Sequence, residues 1–224
     1  MAREAKQSGY GVIGLGRFGM TLAQRLAEAG QDVLVIDSNE QKIREARAFT
    51  DAAFVTETLD RETLMECGVQ NCDTVIVAIG EKIDTSILAT LTVVQLGVPR
   101  VIAKAMSQEH GAVLEKLGAE VILPEADMAV RLAKRLTTKR LVDFLQLSGD
   151  VEISELEISG AIAGKTVRDA DVRRHYGLNI IALVGKDGIT ADVTPGSVLR
   201  EGEAIVVIGS RKNIERFEQM LCQE

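Results

Sequence analysis

The sequence has no tryptophan, and only two tyrosines, five phenylalanines and two histidines among its 224 residues. With aromatics at 3%, the core has to be aliphatic, and stacking of bases on aromatic platforms, as single-strand binders do it, lacks its material. His110 and His175 are the only histidines, which leaves little for acid–base catalysis. Cys67, Cys72 and Cys222 are odd in number and have neither CxxC spacing nor histidine companions; they read as reduced thiols rather than a disulfide or a metal site. No run reaches the roughly 18 apolar residues of a membrane span. The start, "MAREAKQSG", lacks the apolar centre of a signal peptide, so a cytoplasmic protein is expected. A net charge of −7 argues against a nucleic-acid surface.

What is present starts at Tyr10 with "YGVIGLGRFGMTLAQRLAEAGQDVLVID". Val12, Ile13 and Leu15 form a buried parallel strand that breaks at Gly14, Gly16 and Gly19, the G-x-G-x-x-G spacing of a dinucleotide-binding turn. Gly14 permits the tight turn, Gly16 lets backbone approach a phosphate, and Gly19 lets the next helix pack on the sheet. That helix, from about Phe18 to Ala29, points its unpaired N–H groups at the phosphate. It buries Leu22, Leu26 and Ala29 and stops at Gly30. A second strand, "DVLVID", ends on Asp37, where a ribose hydroxyl is normally accepted.

The alternation of helix and strand continues through "AAFVTE", "DTVIVAIG", "RVIAKA" and "EVILP". The expectation is an α/β fold, a Rossmann-type doubly wound parallel sheet of six strands. Around "TTKRLVDFLQLSGD" the rhythm changes. A smaller α+β unit follows, with strands "VEISELEIS", "NIIALV" and "AIVVIG", a helix near Val167 to Arg174, a Lys186-Asp187-Gly188 turn and a final helix. The expected domains are 1–140, binding nucleotide, and 141–224.

Several residues fall where a ligand of such a sheet binds, outside the strand ends. Arg17, inside the glycine turn and next to Phe18, either holds terminal phosphate oxygens by charge-assisted bonds or faces solvent. Asn39 is placed to hold the ribose, to cap the next helix, or to do both. Glu57, with Thr58 next to it, ends the third strand, and Ala78, Ile79 and Gly80 end the fourth. Lys104, at the end of "VIAKA", either favours phosphate or pairs with a nearby carboxylate. Met128, Val130, Leu132, Ala133 and Leu136 spread apolar surface over much of one helix, which packs either on a partner subunit or between the domains of one chain.

Taken together, "GVIGLGRFG", "VLVID", "TVIVAIG", "VIAKA", "LEKLGAEVILPEADM" and "KTVRDADVRRHYGLNIIALV" resemble the cytosolic regulatory subunits of bacterial Trk/Ktr potassium uptake systems, with an RCK N-terminal and an RCK C-terminal domain. The resemblance covers nearly the whole chain. It implies no enzyme but a homo-oligomer, dimers assembled into a usually octameric ring, peripheral at the inner face of the membrane through a membrane-embedded potassium transporter that it switches when ATP replaces ADP. Glu125 resembles the family acid that approaches a neighbour's nucleotide and shares Mg or another cation at the dimer seam; alone, it reads as an acid at a helix start. Arg173, His175, Tyr176 and Asn179 resemble the segment that binds cyclic di-AMP in some relatives, while a charged exposed helix end explains "VRRHY" equally well. Glu57-Thr58-Leu59 departs from the Asp-Ala-Thr or Asn-Ala-Thr usual in this family after the third strand.

The competing function is a small NAD-dependent oxidoreductase or an NAD(H)-binding sensor, since Asp37 suits any unphosphorylated 2′-hydroxyl. Against the oxidoreductase stand the scarcity of acid–base residues, the small second domain and the lack of a Tyr-x-x-x-Lys pattern after Tyr10 or Tyr176.

Overall fold

The computed structural model describes residues 9–80, 82–137, 140–147, 149–186 and 188–222. The chain divides into two compact units after Glu125.

In the first unit, short Val/Ile-rich runs alternate with helices: β1 (Gly9–Ile13), α1 (Arg17–Glu28), β2 (Asp32–Asp37), α2 (Glu40–Ala46), β3 (Ala53–Val55), α3 (Arg61–Glu66), β4 (Thr74–Val77), α4 (Ile83–Gln95), β5 (Arg100–Lys104), α5 (Gln108–Lys116) and β6 (Glu120–Ile122). The strands form one parallel sheet in the order β3-β2-β1-β4-β5-β6. Side chains of a strand alternate between faces, so neighbours on β1 serve different cores. Val12 joins Val35, Ile43 and Ile76 on one face, and Ile13 joins Ile36, Val75 and Leu114 on the other. Burial on both faces is why these strands are nearly continuous aliphatic runs. The order reverses between β1 and β4, which opens a crevice at the carboxyl ends of the strands.

Helix α1 deviates from its expected face. Gly19 and Ala23 are its buried residues, Leu22 and Leu26 are half-buried, and Ala29 is exposed at the C-cap. The small residues sit against the sheet because the helix approaches closely there.

The helix α6 (Pro124–Thr137) starts at the end of the first unit. The second unit adds β7 (Leu141–Gln146), β8 (Val151–Glu157), α7 (Val167–Ala170), α8 (Val172–Tyr176), β9 (Asn179–Gly185), β10 (Gly188–Thr190), β11 (Ala204–Ser210) and α9 (Arg211–Leu221). Its sheet is antiparallel, in the order β10-β9-β11-β8-β7. Leu156, Ile205, Val207, Ile214 and Phe217 form its core between sheet and α9.

Two expectations change here. The stretch 141–149, where the sequence marks only a change of rhythm, contains the strand β7. A register shift between Leu141 and Asp143 breaks the period-two alternation that would have marked it. The helix expected near Val167 to Arg174 is two short helices, split at Asp171, whose φ of 40° lies in the left-handed region. Asp187 of the expected turn lies outside the described residues, but β9 and β10 pair antiparallel on either side of it.

On α6, Arg131 makes a two-pronged pair with Asp143 of β7, at 3.1 and 2.6 Å. Met128, Val130, Leu132 and Leu136 are exposed. No helix among the described residues is long and apolar enough to cross a membrane.

Candidate nucleotide site

A cleft of about 480 Å³ opens at the carboxyl ends of the first unit's strands. Its floor is the turn between β1 and α1. Gly14 has φ +97°, and a Cβ there would press on the Ala78 carbonyl at 3.1–3.2 Å, so both the conformation and the space require glycine. The Gly14 N–H donates to the Ile36 carbonyl at 2.8 Å, and the Ala78 N–H donates to that of Ile13 at 2.7 Å. The turn is therefore tied to both flanking strands. A Cβ on Gly19 would fall on the Gly14 carbonyl oxygen. Gly19 does not line the cleft; it lets α1 lie against the turn.

Helix α1 begins at Gly16 with no side-chain cap and no acid in its first turn. Its first N–H groups and the positive end of its dipole are left for an anion. Arg17 stands there, exposed.

Asp37 closes β2, with its carboxylate oriented from two sides. Oδ2 accepts the Leu15 N–H at 2.6 Å and Oδ1 accepts the Asn39 N–H at 2.8 Å, while Lys42 Nζ lies 3.4 Å from Oδ2. Held this way, Asp37 is a preformed acceptor at the place where a ribose hydroxyl would arrive. Asn39 caps the next helix. Its side chain accepts the Gln41 and Lys42 N–H groups at the start of α2, and it is absent from the cleft lining.

At the far end, Lys104 Nζ lies 2.6 Å from Glu125 Oε1. The Lys104 side chain is nearly buried, whereas that of Glu125 is 66% exposed. The hydrogen bond from Lys104 holds the Glu125 carboxyl below its usual range, with the charge of Arg17 acting in the same direction. A Cβ on Gly80 would lie 3.5 Å from that ammonium, so the turn after β4 spans from the glycine loop to Lys104.

The lining thus includes Gly14, Gly16, Arg17, Phe18, Asp37, Glu57, Ala78, Ile79, Gly80, Lys104 and Glu125 together. Gly19, Asn39 and Thr58 lie outside it. Thr58 belongs to the turn into α3, where its carbonyl accepts the Thr56 hydroxyl at 2.7 Å. Sequence reasoning missed Lys42, Lys82, Thr85 and Met106, which also line the cleft. Lys42 lies in the first turn of α2, and only the fold brings its ammonium back to the Asp37 carboxylate at the end of β2. Lys82 is the N-cap residue of α4, and Thr85 lies in its first turn.

Arg17, Lys42, Lys82 and Lys104 face Asp37, Glu57 and Glu125 around this lining. Cations, uncapped N–H groups and one fixed acceptor make chemistry for binding a phosphate and a sugar. Among the described residues no group of three or more His, Cys, Asp or Glu is placed to hold a metal ion.

In the second unit, Arg173 and His175 on α8 and Asn179 at the start of β9 are exposed. Tyr176 is half-buried, its ring centroid 5.0 Å from that of Phe217 with Arg216 over its face. It supports the core as much as it presents an edge to solvent.

The TrkA-N domain family matches residues 10–124, and the TrkA-C domain family matches residues 151–221. The Ktr system potassium uptake protein C of Bacillus subtilis (strain 168) is 38% identical, over 94% of this chain and 96% of its own. The Ktr system potassium uptake protein A of the same strain is 35% identical, over 95% and 96%. Among solved structures, one described as the GsuK channel bound to NAD is similar at a TM-score of 0.53 and 22% identity, covering 100% of this chain and 40% of that one. The last is a likeness of fold.

Proposed function

Because this chain belongs to the TrkA-N/TrkA-C family of potassium uptake proteins, we propose that it is a nucleotide-sensing regulatory subunit, not an enzyme, that gates a membrane-embedded potassium transporter from the cytoplasmic face. The observation that carries the reading is the uncapped start of α1 with Arg17 beside it, in one cleft with the preset carboxylate of Asp37. ATP and ADP are the ligands. Both offer a ribose to Asp37, but ATP presents more terminal phosphate charge to Arg17. A ligand shifts an equilibrium only by its differential affinity for the two states.

The working form is a homo-oligomer, dimers assembled into an octameric ring, with the exposed apolar residues of α6 at a subunit seam. Glu125 meets the neighbour's nucleotide there, Mg or another cation being held between this carboxylate and the phosphates. Cyclic di-AMP is the second ligand, at Arg173, His175, Tyr176 and Asn179, where the guanidinium answers its negative charge.

A second reading keeps the cleft and changes the ligand to NAD(H), without catalysis. Asp37 suits an unphosphorylated 2′-hydroxyl, and the similar channel structure is described as bound to NAD.

Thermal unfolding with ATP, ADP, NADH and cyclic di-AMP, each in turn, distinguishes these readings. A ligand at a hundred times its Kd stabilises the folded protein by about 2.7 kcal/mol. Stabilisation by ATP and ADP supports the first reading, stabilisation by NADH alone supports the second, and no shift with any of them rejects nucleotide sensing.

Arg17→Gln is expected to bring ATP affinity down towards that of ADP, because a hydrogen bond to a charged group contributes about 1.5–3 kcal/mol, tenfold or more in Kd. Isothermal titration checks it. An unchanged ratio of ATP to ADP affinity would mean that other residues read the terminal phosphate.

A further inference from the structure

The second unit contains a buried ionic cluster that the nucleotide cleft does not use. Lys134 of α6 places Nζ 2.5 Å from Glu152 Oε1 on β8, and the Ser154 hydroxyl donates to the same oxygen at 2.6 Å. The ammonium also lies 4.0 Å from the ring centroid of Phe144 on β7. Glu152 is only 2% exposed, and Glu218 of α9 only 7%. Glu218 Oε1 is enclosed and meets no hydrogen-bond partner among the described residues. One ammonium therefore serves two buried carboxylates, and Glu152 has it.

We propose that Glu218 is a proton-operated latch on helix α6: it carries a proton while Lys134 is locked onto Glu152, and release of that proton loosens the end of α6 from the second unit's sheet. A protonated Glu218 leaves the cluster neutral, one ammonium against one carboxylate. An ionised Glu218 leaves an uncompensated negative charge in a poorly solvated place, competing with Glu152 for Lys134. Relief comes from letting water in, and Lys134 is the member of the cluster carried by α6.

The surrounding charges agree with this assignment. Burial pushes the Glu218 carboxyl above its usual 4.5; Lys134 draws it down, and Glu152 and Glu215 push it up. Among the described residues Lys134 is the one cation acting on it. Strand β11, which packs on α9, has no charged side chain between Ala204 and Ser210. Glu155 and Glu157 alternate with Glu152 along β8 and so lie on its other face. On α8, also packed on α9, Arg173, Arg174 and His175 are exposed. On α6, Arg131 is held by Asp143. The sign follows from linkage: the folded state holds this proton more tightly than the unfolded chain. The stability it contributes is therefore present at low pH and lost as pH rises from 4.5 through the raised value.

The latch is independent of the nucleotide, and its test uses the whole protein. Carboxyl-carbon NMR titration should give Glu218 a midpoint above the ordinary glutamate range. Glu218→Gln copies the shape of the protonated acid and cannot ionise, so its Tm relative to the native protein should rise with increasing pH. Amide exchange over residues 131–137 should speed up with pH beyond the intrinsic base-catalysed rate in the native protein but follow that rate in Glu218→Gln. A Glu218 midpoint in the ordinary range, or a Tm difference that does not change with pH, overturns the protonated state. Exchange in α6 that is the same in both proteins overturns the link to the helix.

Discussion

Gly19→Ala is expected to lower the Tm of the first unit by roughly 5–15 °C and to abolish nucleotide binding along with it. The added methyl has nowhere to go: it would fall on the Gly14 carbonyl oxygen and within 3.2 Å of the Ala78 Cβ. Backbone cannot swing aside as a flexible side chain can, so α1 must move away from the turn. Overpacking a tight contact costs about 1–3 kcal/mol, occasionally more, and here it also pulls the N–H groups of α1 off the phosphate position. Gly16→Ala is the control. A Cβ on Gly16 meets nothing within 4 Å among the described residues, and the residue lines the cleft. That variant should keep its Tm and lose nucleotide affinity. Equal Tm values for both variants and the native protein would show that helix and turn are not in the close contact described.

Asp37→Ala is expected to weaken binding of any ribose-bearing ligand by tenfold or more and to destabilise the unbound protein as well. The ligand loses a charged acceptor, a loss of about 1.5–3 kcal/mol. The protein loses the acceptor of the Leu15 and Asn39 N–H groups, and Leu15 is almost fully buried. A buried N–H left without a partner costs about 1–3 kcal/mol. Asp37→Asn keeps one oxygen for Leu15 and should recover most of the stability but little of the affinity. Calorimetric titration beside thermal unfolding separates the two effects; unchanged affinity in a folded Asp37→Ala protein would remove this carboxylate from the site.

The parallel sheet was legible because its signals are local and repeated. Aliphatic runs such as "TVIV" mean burial on both faces, and the glycines at 14, 16 and 19 state their steric reasons directly. The cleft's main members followed from strand ends, where the topology collects them. Other features depend on contacts that spacing does not encode. That the Asn39 side chain accepts two backbone N–H groups of its own helix is a contact visible only in the fold. Lys104 had two readings. The pairing with Glu125, 21 positions away, needed β5 and the residues after β6 side by side. The break at Asp171 was invisible because "VRDADVRRHY" has no glycine or proline to announce it, and an aspartate only occasionally takes the left-handed conformation. The burial of Glu218 near Lys134 and Glu152 has no local signal in the sequence, since those residues lie far from it along the chain.

The contact between Lys104 and Glu125 makes any binding at that end of the cleft a replacement rather than an addition. A phosphate that takes the ammonium takes it from Glu125, so the attraction a ligand gains there is a difference between two carboxylate-like partners, smaller than the bare charge implies. The displaced acid is then left without its lysine in the first turn of α6. Arrival of an anion at the inner end of the cleft would be written on the outside of the protein as one newly unpaired carboxylate, without any movement of the sheet.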